Sequence, residues 1–178
     1  TISQPDDILI NEITSNVSCF GFSDGTASLT ISGGTQPYNV DWGGIDINNL
    51  SSGIYVYSVN DANGCEKNDF INITQPDELT VTEIVDEVSC FNYNDGSIFL
   101  NISGGTLPYN QNWNGFNPNQ LYTGTYSYDV IDANGCDFSS NVFVDQANKI
   151  LANFSITPQV CENNNAIINF DIVNPSSN

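Results

Sequence analysis

Val17–Trp42 reads VSCFGFSDGTASLTISGGTQPYNVDW, and Val88–Trp113 reads VSCFNYNDGSIFLNISGGTLPYNQNW. The two stretches lie 71 residues apart, and sliding the chain by that interval aligns residues 1–71 with 72–142 without a gap, 34 of the 71 pairs being identical. DANGC at Asp61–Cys65 returns at Asp132–Cys136, and Gln4-Pro5-Asp6 returns as Gln75-Pro76-Asp77. Self-similarity at a fixed period marks a tandem array. A unit of about 70 residues, unlike shorter modules that must stack, has room for a small core of its own. The expected division is residues 1–5 as the tail of a preceding repeat, 6–76 and 77–147 as two β-sandwich repeats, and 148–178 as a partial or divergent third. Cys161 lies one further period beyond Cys90, yet Glu162-Asn163-Asn164-Asn165 replaces the Asp-Gly turn there. The junctions Thr74–Asp77 and Asp145–Asn148 are too short for a flexible tether, so restricted joints are expected.

Alternation supplies the strands. Ala27, Leu29 and Ile31 match Ile98, Leu100 and Ile102, with mainly polar residues between them. Tyr55, Tyr57 and Val59 match Tyr126, Tyr128 and Val130, while the intervening residues change from Ile54, Val56 and Ser58 to Thr125, Ser127 and Asp129, so the tyrosine face is the expected core face. Tyr38 and Trp42 return as Tyr109 and Trp113 at period two and are read as structural aromatics together with Tyr55 and Tyr126. Further strands are expected at Ile8–Ile13, around Val17, at Asn68–Ile73 and at the matching second-copy positions. No window keeps a helical apolar stripe. Six or seven short strands per copy, punctuated by Asp24-Gly25, Gly33-Gly34 and Asn63-Gly64, predict an all-β chain of tandem antiparallel sandwiches.

The chemistry is bounded by what the 178 residues contain: 21 acidic side chains against two lysines, no histidine, and a formal charge of −19. Lys67 and Lys149 cannot assemble a basic patch, which excludes a nucleic-acid partner. Without imidazole there is no Ser-His or Cys-His nucleophile and no His-bearing zinc site. A 39% hydrophobic content is enough for packed cores, so the chain is expected to fold. No run of about 20 apolar residues is present, and Thr1–Ile10 carries Asp6 and Asp7 rather than a basic leader, so neither a membrane span nor an export signal is read.

Cys19 and Cys65 are 46 residues apart, as are Cys90 and Cys136. One disulfide within each unit is the economical reading: Cys19 with Cys65, Cys90 with Cys136, and Cys161 left unpaired in this stretch. Buried free thiols are the structural alternative, and links between units would need pairs unrelated to the repeat. Metal ligation is disfavoured because the cysteines lack close CxxC spacing. Disulfides imply an extracellular location.

Asp24, Asp61, Asp95 and Asp132 stand at turns, where a carboxylate accepting backbone amides is the simpler role and calcium the alternative; no DxDxDG loop is seen. No acidic pair forms a catalytic pattern, and no enzymatic activity or cofactor is expected. Trp42 and Trp113 are expected to pack against the opposite sheet, with a stacking platform for polysaccharide as the alternative.

In fixed order and twice over, C-x4-DG, SGGT-x-PY, Trp and G-x-Y-x3-V-x-DANGC run through most of residues 8–146. This pattern resembles the SprB-type repeat of giant surface adhesins of gliding and related Bacteroidota. The resemblance implies an Ig-like or PKD-like β-sandwich, export by the type IX secretion system and display at the outer surface within a long adhesin moved in gliding. Its partners would be neighbouring repeats of the same chain and the secretion and motility machinery.

Overall fold

A computed structural model describes residues 6–157 and 167–173. Every described element is a β-strand. The first copy contributes β1 (Leu9–Ser15), β2 (Thr26–Ser32), β3 (Asn39–Asp41), β4 (Gly53–Asn60) and β5 (Glu66–Ile73). The second contributes β6 (Thr80–Asp86), β7 (Ser97–Ser103), β8 (Asn110–Asn112), β9 (Gly124–Ile131) and β10 (Asp137–Val144), each displaced by one repeat length from its counterpart. In each copy a two-stranded sheet, β1-β2 or β6-β7, accompanies a three-stranded one, β3-β4-β5 or β10-β9-β8. The chain is thus all-β, built as antiparallel sandwich repeats. The expected strand count was too high: Val17 and Val88 lie outside the named strands. Val17 donates its amide to Thr74, and Val88 makes one bridge to Gln146.

Period-two alternation decides what each strand buries. On β4, Tyr57 and Val59 are buried while Ile54 and Val56 are 68% exposed, so the copy comparison chose the inner face correctly. These side chains meet Ile8, Val17, Ala27, Leu50, Ile71 and Ile73 in one cluster, flanked by Leu29, Ile31, Tyr38, Trp42 and Tyr55. In the second copy the matching positions Val88, Ile98, Leu121, Tyr126, Tyr128 and Val144 are buried too. Trp42 and Trp113 are half-buried and tilt against Tyr57 and Tyr128, with ring centroids 4.6 and 5.2 Å apart.

Each core tyrosine carries its hydroxyl to the neighbouring sheet. Tyr57 donates to Glu12 at 2.7 Å and Tyr128 to Glu83 at 2.5 Å. Burial, then the bond to glutamate, raises both phenol pKa values, so the hydroxyls stay protonated donors. Tyr57→Phe and Tyr128→Phe are each expected to cost about 1–2 kcal/mol, measured by urea unfolding, because a bond to a charged acceptor is lost while the ring packing stays.

The lead-in to the first strand is clamped by the double glycine. Asp6 O accepts from Gly34 N at 2.8 Å, and Asp77 O from Gly105 N at 2.9 Å. Gly33 (φ 73°) and Gly104 (φ 75°) adopt the left-handed conformation, and a Cβ on either would stand 1.9 Å from the carbonyl oxygen of Asp7 or Glu78. Both glycines therefore serve backbone geometry.

Beyond the second copy, β11 (Leu151–Thr157) and β12 (Ile167–Val173) form an antiparallel hairpin that pairs Phe154 with Phe170. β11 begins two repeat lengths past β1. Cys161 lies outside the described residues.

Contacts divide the chain into two compact units. One comprises the chain up to Val81 together with Ile102–Asn110 and Val130–Phe138; the other comprises Thr82–Asn101, Gln111–Asp129 and the chain from Ser139 onward. The second copy's glycine turn and DANGC turn thus group with the first copy.

Candidate functional site

The DANGC turn is organised by its aspartate. Asp61 is 6% exposed; its Oδ1 accepts the amides of Asn63 and Cys65 at 2.9 and 2.8 Å, and Oδ2 accepts Thr35 N at 2.9 Å. Asp132 repeats this with Asn134, Cys136 and Thr106 at 2.8, 2.9 and 2.8 Å. One carboxylate thereby ties the cysteine turn to the end of the SGGT turn. For Asp61 the Cys65 amide is the largest influence and, with the amides of Thr35 and Asn63, holds the carboxyl below the ordinary range against the opposing effect of burial. For Asp132 burial is the largest influence and acts upward, but the amides of Cys136, Thr106 and Asn134 together outweigh it and the carboxyl is again lowered.

A carboxyl whose folded pKa lies below its unfolded value of about 4 stabilises the fold above that value and loses the contribution as pH falls toward the folded pKa. Between pH 6 and pH 3 the wild type is therefore expected to lose more stability than Asp132→Asn, which keeps an acceptor oxygen but does not titrate. Urea midpoints of the two proteins at both pH values measure this. Their difference removes the relief of charge repulsion, which both share.

The first cysteine of each copy sits in a loop closed by the aspartate of the Asp-Gly pair, Asp24 or Asp95. Asp24 accepts from the amide of Ser18 at 2.9 Å and from its hydroxyl, and Phe22 N bonds Cys19 O at 3.1 Å. Asp95 does the same for Ser89, with amide and hydroxyl donors at 3.0 and 2.5 Å. The serine hydroxyl first and the amide second hold both carboxyls below their usual range. All four aspartates singled out in the sequence are thus engaged by protein donors at turns. Among the described residues no group of three or more Cys, Asp or Glu is placed to hold a metal. Glu12 and Glu83 face the tyrosine hydroxyls.

The cysteine pairing differs from the expectation. Cys19 is bonded to Cys136, 117 positions further along the sequence, with Cα atoms 5.7 Å apart, while Cys65 and Cys90 are exposed free thiols. The reason lies in strand geometry. Val17, two residues before Cys19, bonds Thr74 at the far end of β5, whereas Cys65 immediately precedes the start of that strand. An eight-residue strand spans about 26 Å, far more than a disulfide can bridge. Cys19 and Cys65 therefore stand at opposite ends of the first copy and cannot meet; Cys19 instead meets Cys136 of the second copy. Asn134 Nδ2 adds a bond to Ser18 O at 2.9 Å beside the disulfide. Spacing alone missed this because a 46-residue interval says nothing about which end of the sandwich each cysteine occupies.

Two hollows flank these cysteines, both inside the first compact unit. One, of about 240 Å³, is lined by Cys19, Phe20, Phe22 and the Cys136 turn. The other, of about 390 Å³, surrounds Cys65. A third and shallower one, of about 610 Å³, lies over β4 and β5, lined by Trp42, Ile45, Val56 and Phe70 with Asp41 and Asn68. In the second copy Ser127 and Asn141 replace Val56 and Phe70, so this aromatic face is particular to the first.

The SprB repeat family matches residues 11–51 and 82–117, once in each copy. Both matches span the first cysteine, the Asp-Gly turn, the SGGT-x-PY turn and the tryptophan, and both stop short of DANGC. No curated protein and no solved structure matches the chain.

Proposed function

Starting from two sandwich copies that each match the SprB repeat, a repeat of cell-surface adhesins, we propose that the chain is a non-catalytic, disulfide-stapled stalk segment of a large adhesin. In this reading it is exported by the type IX pathway, displayed on the outer surface of a member of the Bacteroidota, and serves gliding or surface attachment by holding a distal adhesive region away from the cell. The observation that carries the proposal is the Cys19–Cys136 bond. A tensile load arriving at Cys19 can leave at Cys136 through one covalent bridge, without loading the strand ladders between them. A formal charge of −19 supports the same reading, since self-repulsion keeps a crowded surface polymer soluble.

Single-molecule pulling from the two ends tests it. The oxidised chain is expected to keep the staple-enclosed residues hidden, and reductant is expected to release about 400 Å of additional contour length, at roughly 3.4 Å per extended residue. Equal lengths in both conditions would contradict the proposal.

The hollow beside Trp42 favours a second reading, in which the first copy binds polysaccharide, directly or through a calcium-bridged contact. A glycan array probed with and without calcium separates the two: retention that is lost in Trp42→Ala selects the binding module.

A further inference from the structure

The surface around Cys65 has a counterpart in the same chain whose cysteine is paired. Asp6, Asp7, Ile8, Gly34, Cys65 and Glu66 line the open hollow. One repeat length on, Asp77, Glu78, Leu79, Gly105, Cys136 and Asp137 line a hollow whose other wall is Cys19, Phe20 and Phe22. The local bonding is also the same. Asp61 holds the Cys65 amide as Asp132 holds that of Cys136, and Asn63 Nδ2 bonds Thr35 Oγ1 at 2.9 Å as Asn134 Nδ2 bonds Thr106 Oγ1 at 3.1 Å. Asn134 uses the same amide nitrogen for Ser18 O of the docked loop. Cys65 is exposed and unpaired.

We infer that the Cys65 hollow is a receptor for the Cys-Phe-x-Phe/Tyr loop of another repeat, which lays its half-exposed aromatic side chains along the hollow opposite Asp6–Ile8 and closes a disulfide to Cys65. The inference stands on the Cys19–Cys136 contact, independently of the stalk reading. The ligand is a repeat of this same kind, because the loop bonded at the counterpart comes from one. Lys67 replaces Phe138 at the rim and bonds Ile8 O at 3.2 Å, leaving a cation beside the site where the incoming aromatic ring would lie.

Closure needs an oxidant, and glutathione disulfide suffices. The Cys65 thiolate attacks it, forming a protein–glutathione mixed disulfide and expelling one glutathione thiolate. The loop cysteine's thiolate then attacks the Cys65 sulfur and expels the second. Two protein thiols are oxidised and one glutathione disulfide is reduced to two glutathiones.

The test uses the full chain with Cys90→Ser and Cys161→Ser, so that Cys65 is its one free thiol. The probe is a peptide of sequence Val17–Gly25, which carries its own Asp24–Ser18 closure; the control peptide has serine in place of both phenylalanines. In a glutathione redox buffer, intact mass measures the fraction of chain in mixed disulfide with each peptide. The expected result is at least a tenfold preference for the probe over the control at Cys65. A chain with Cys65→Ser and Cys161→Ser, which keeps Cys90, is expected to show less than a twofold preference. Equal preference at the two thiols, or no discrimination between the peptides at Cys65, would overturn the inference.

Discussion

Cys19→Ser is expected to lower the unfolding free energy by about 5 kcal/mol, the chain entropy that the unfolded state regains when a cross-link spanning 117 positions is removed. The measurement is guanidinium unfolding of the chain under oxidising conditions. Cys136→Ser should have the same effect, and the double variant should add almost nothing, since either substitution removes the same bond. Cys65→Ser and Cys90→Ser should leave the midpoint within about 0.5 kcal/mol, because both thiols are exposed and unpaired. The four variants together distinguish this pairing from one within each copy, in which all four cysteines would count equally.

The second large effect is expected at the double glycine. Gly33→Ala combines a left-handed φ of 73°, worth about 1–2 kcal/mol for a residue with a Cβ, with a methyl placed 1.9 Å from the Asp7 carbonyl oxygen. That overlap is relieved only by moving the backbone of the lead-in to β1, which would break the Gly34–Asp6 bond and shift Ile8 in the core. The expected loss is about 4 kcal/mol or more, and Gly104→Ala should match it at Glu78. Gly64→Ala is the comparison. Its φ is 79°, but nothing lies within 4 Å of the added carbon, so a loss of only about 1–2 kcal/mol is expected. If Gly33 and Gly64 cost the same in thermal or urea unfolding, close approach plays no part.

Much of this fold was legible because burial in a half-buried strand follows a period of two, and a second copy shows which phase keeps its apolar residues. Tyr57 and Val59 stayed apolar in the second copy while Val56 became serine, and the structure buries the former and exposes the latter. Asp61 and Asp132 were legible as turn acceptors because their neighbours Asn-Gly require a tight turn, although their reach across to Thr35 and Thr106 depends on tertiary placement. Gly25 was read as a turn glycine; it instead pairs with Leu50, and a Cβ there would come 2.8 Å from that carbonyl. The disulfide pairing was not legible. Period and count fix how many cysteines each copy has, but whether two of them meet depends on which end of a strand each one caps, and that emerges only from the sheet.

The Cys19–Cys136 bond also changes what damage means for such a molecule. A protease that severs the backbone once, at any loop tip between the two sulfurs, leaves both fragments attached to each other, so a filament made this way survives a nick that would part an ordinary polypeptide.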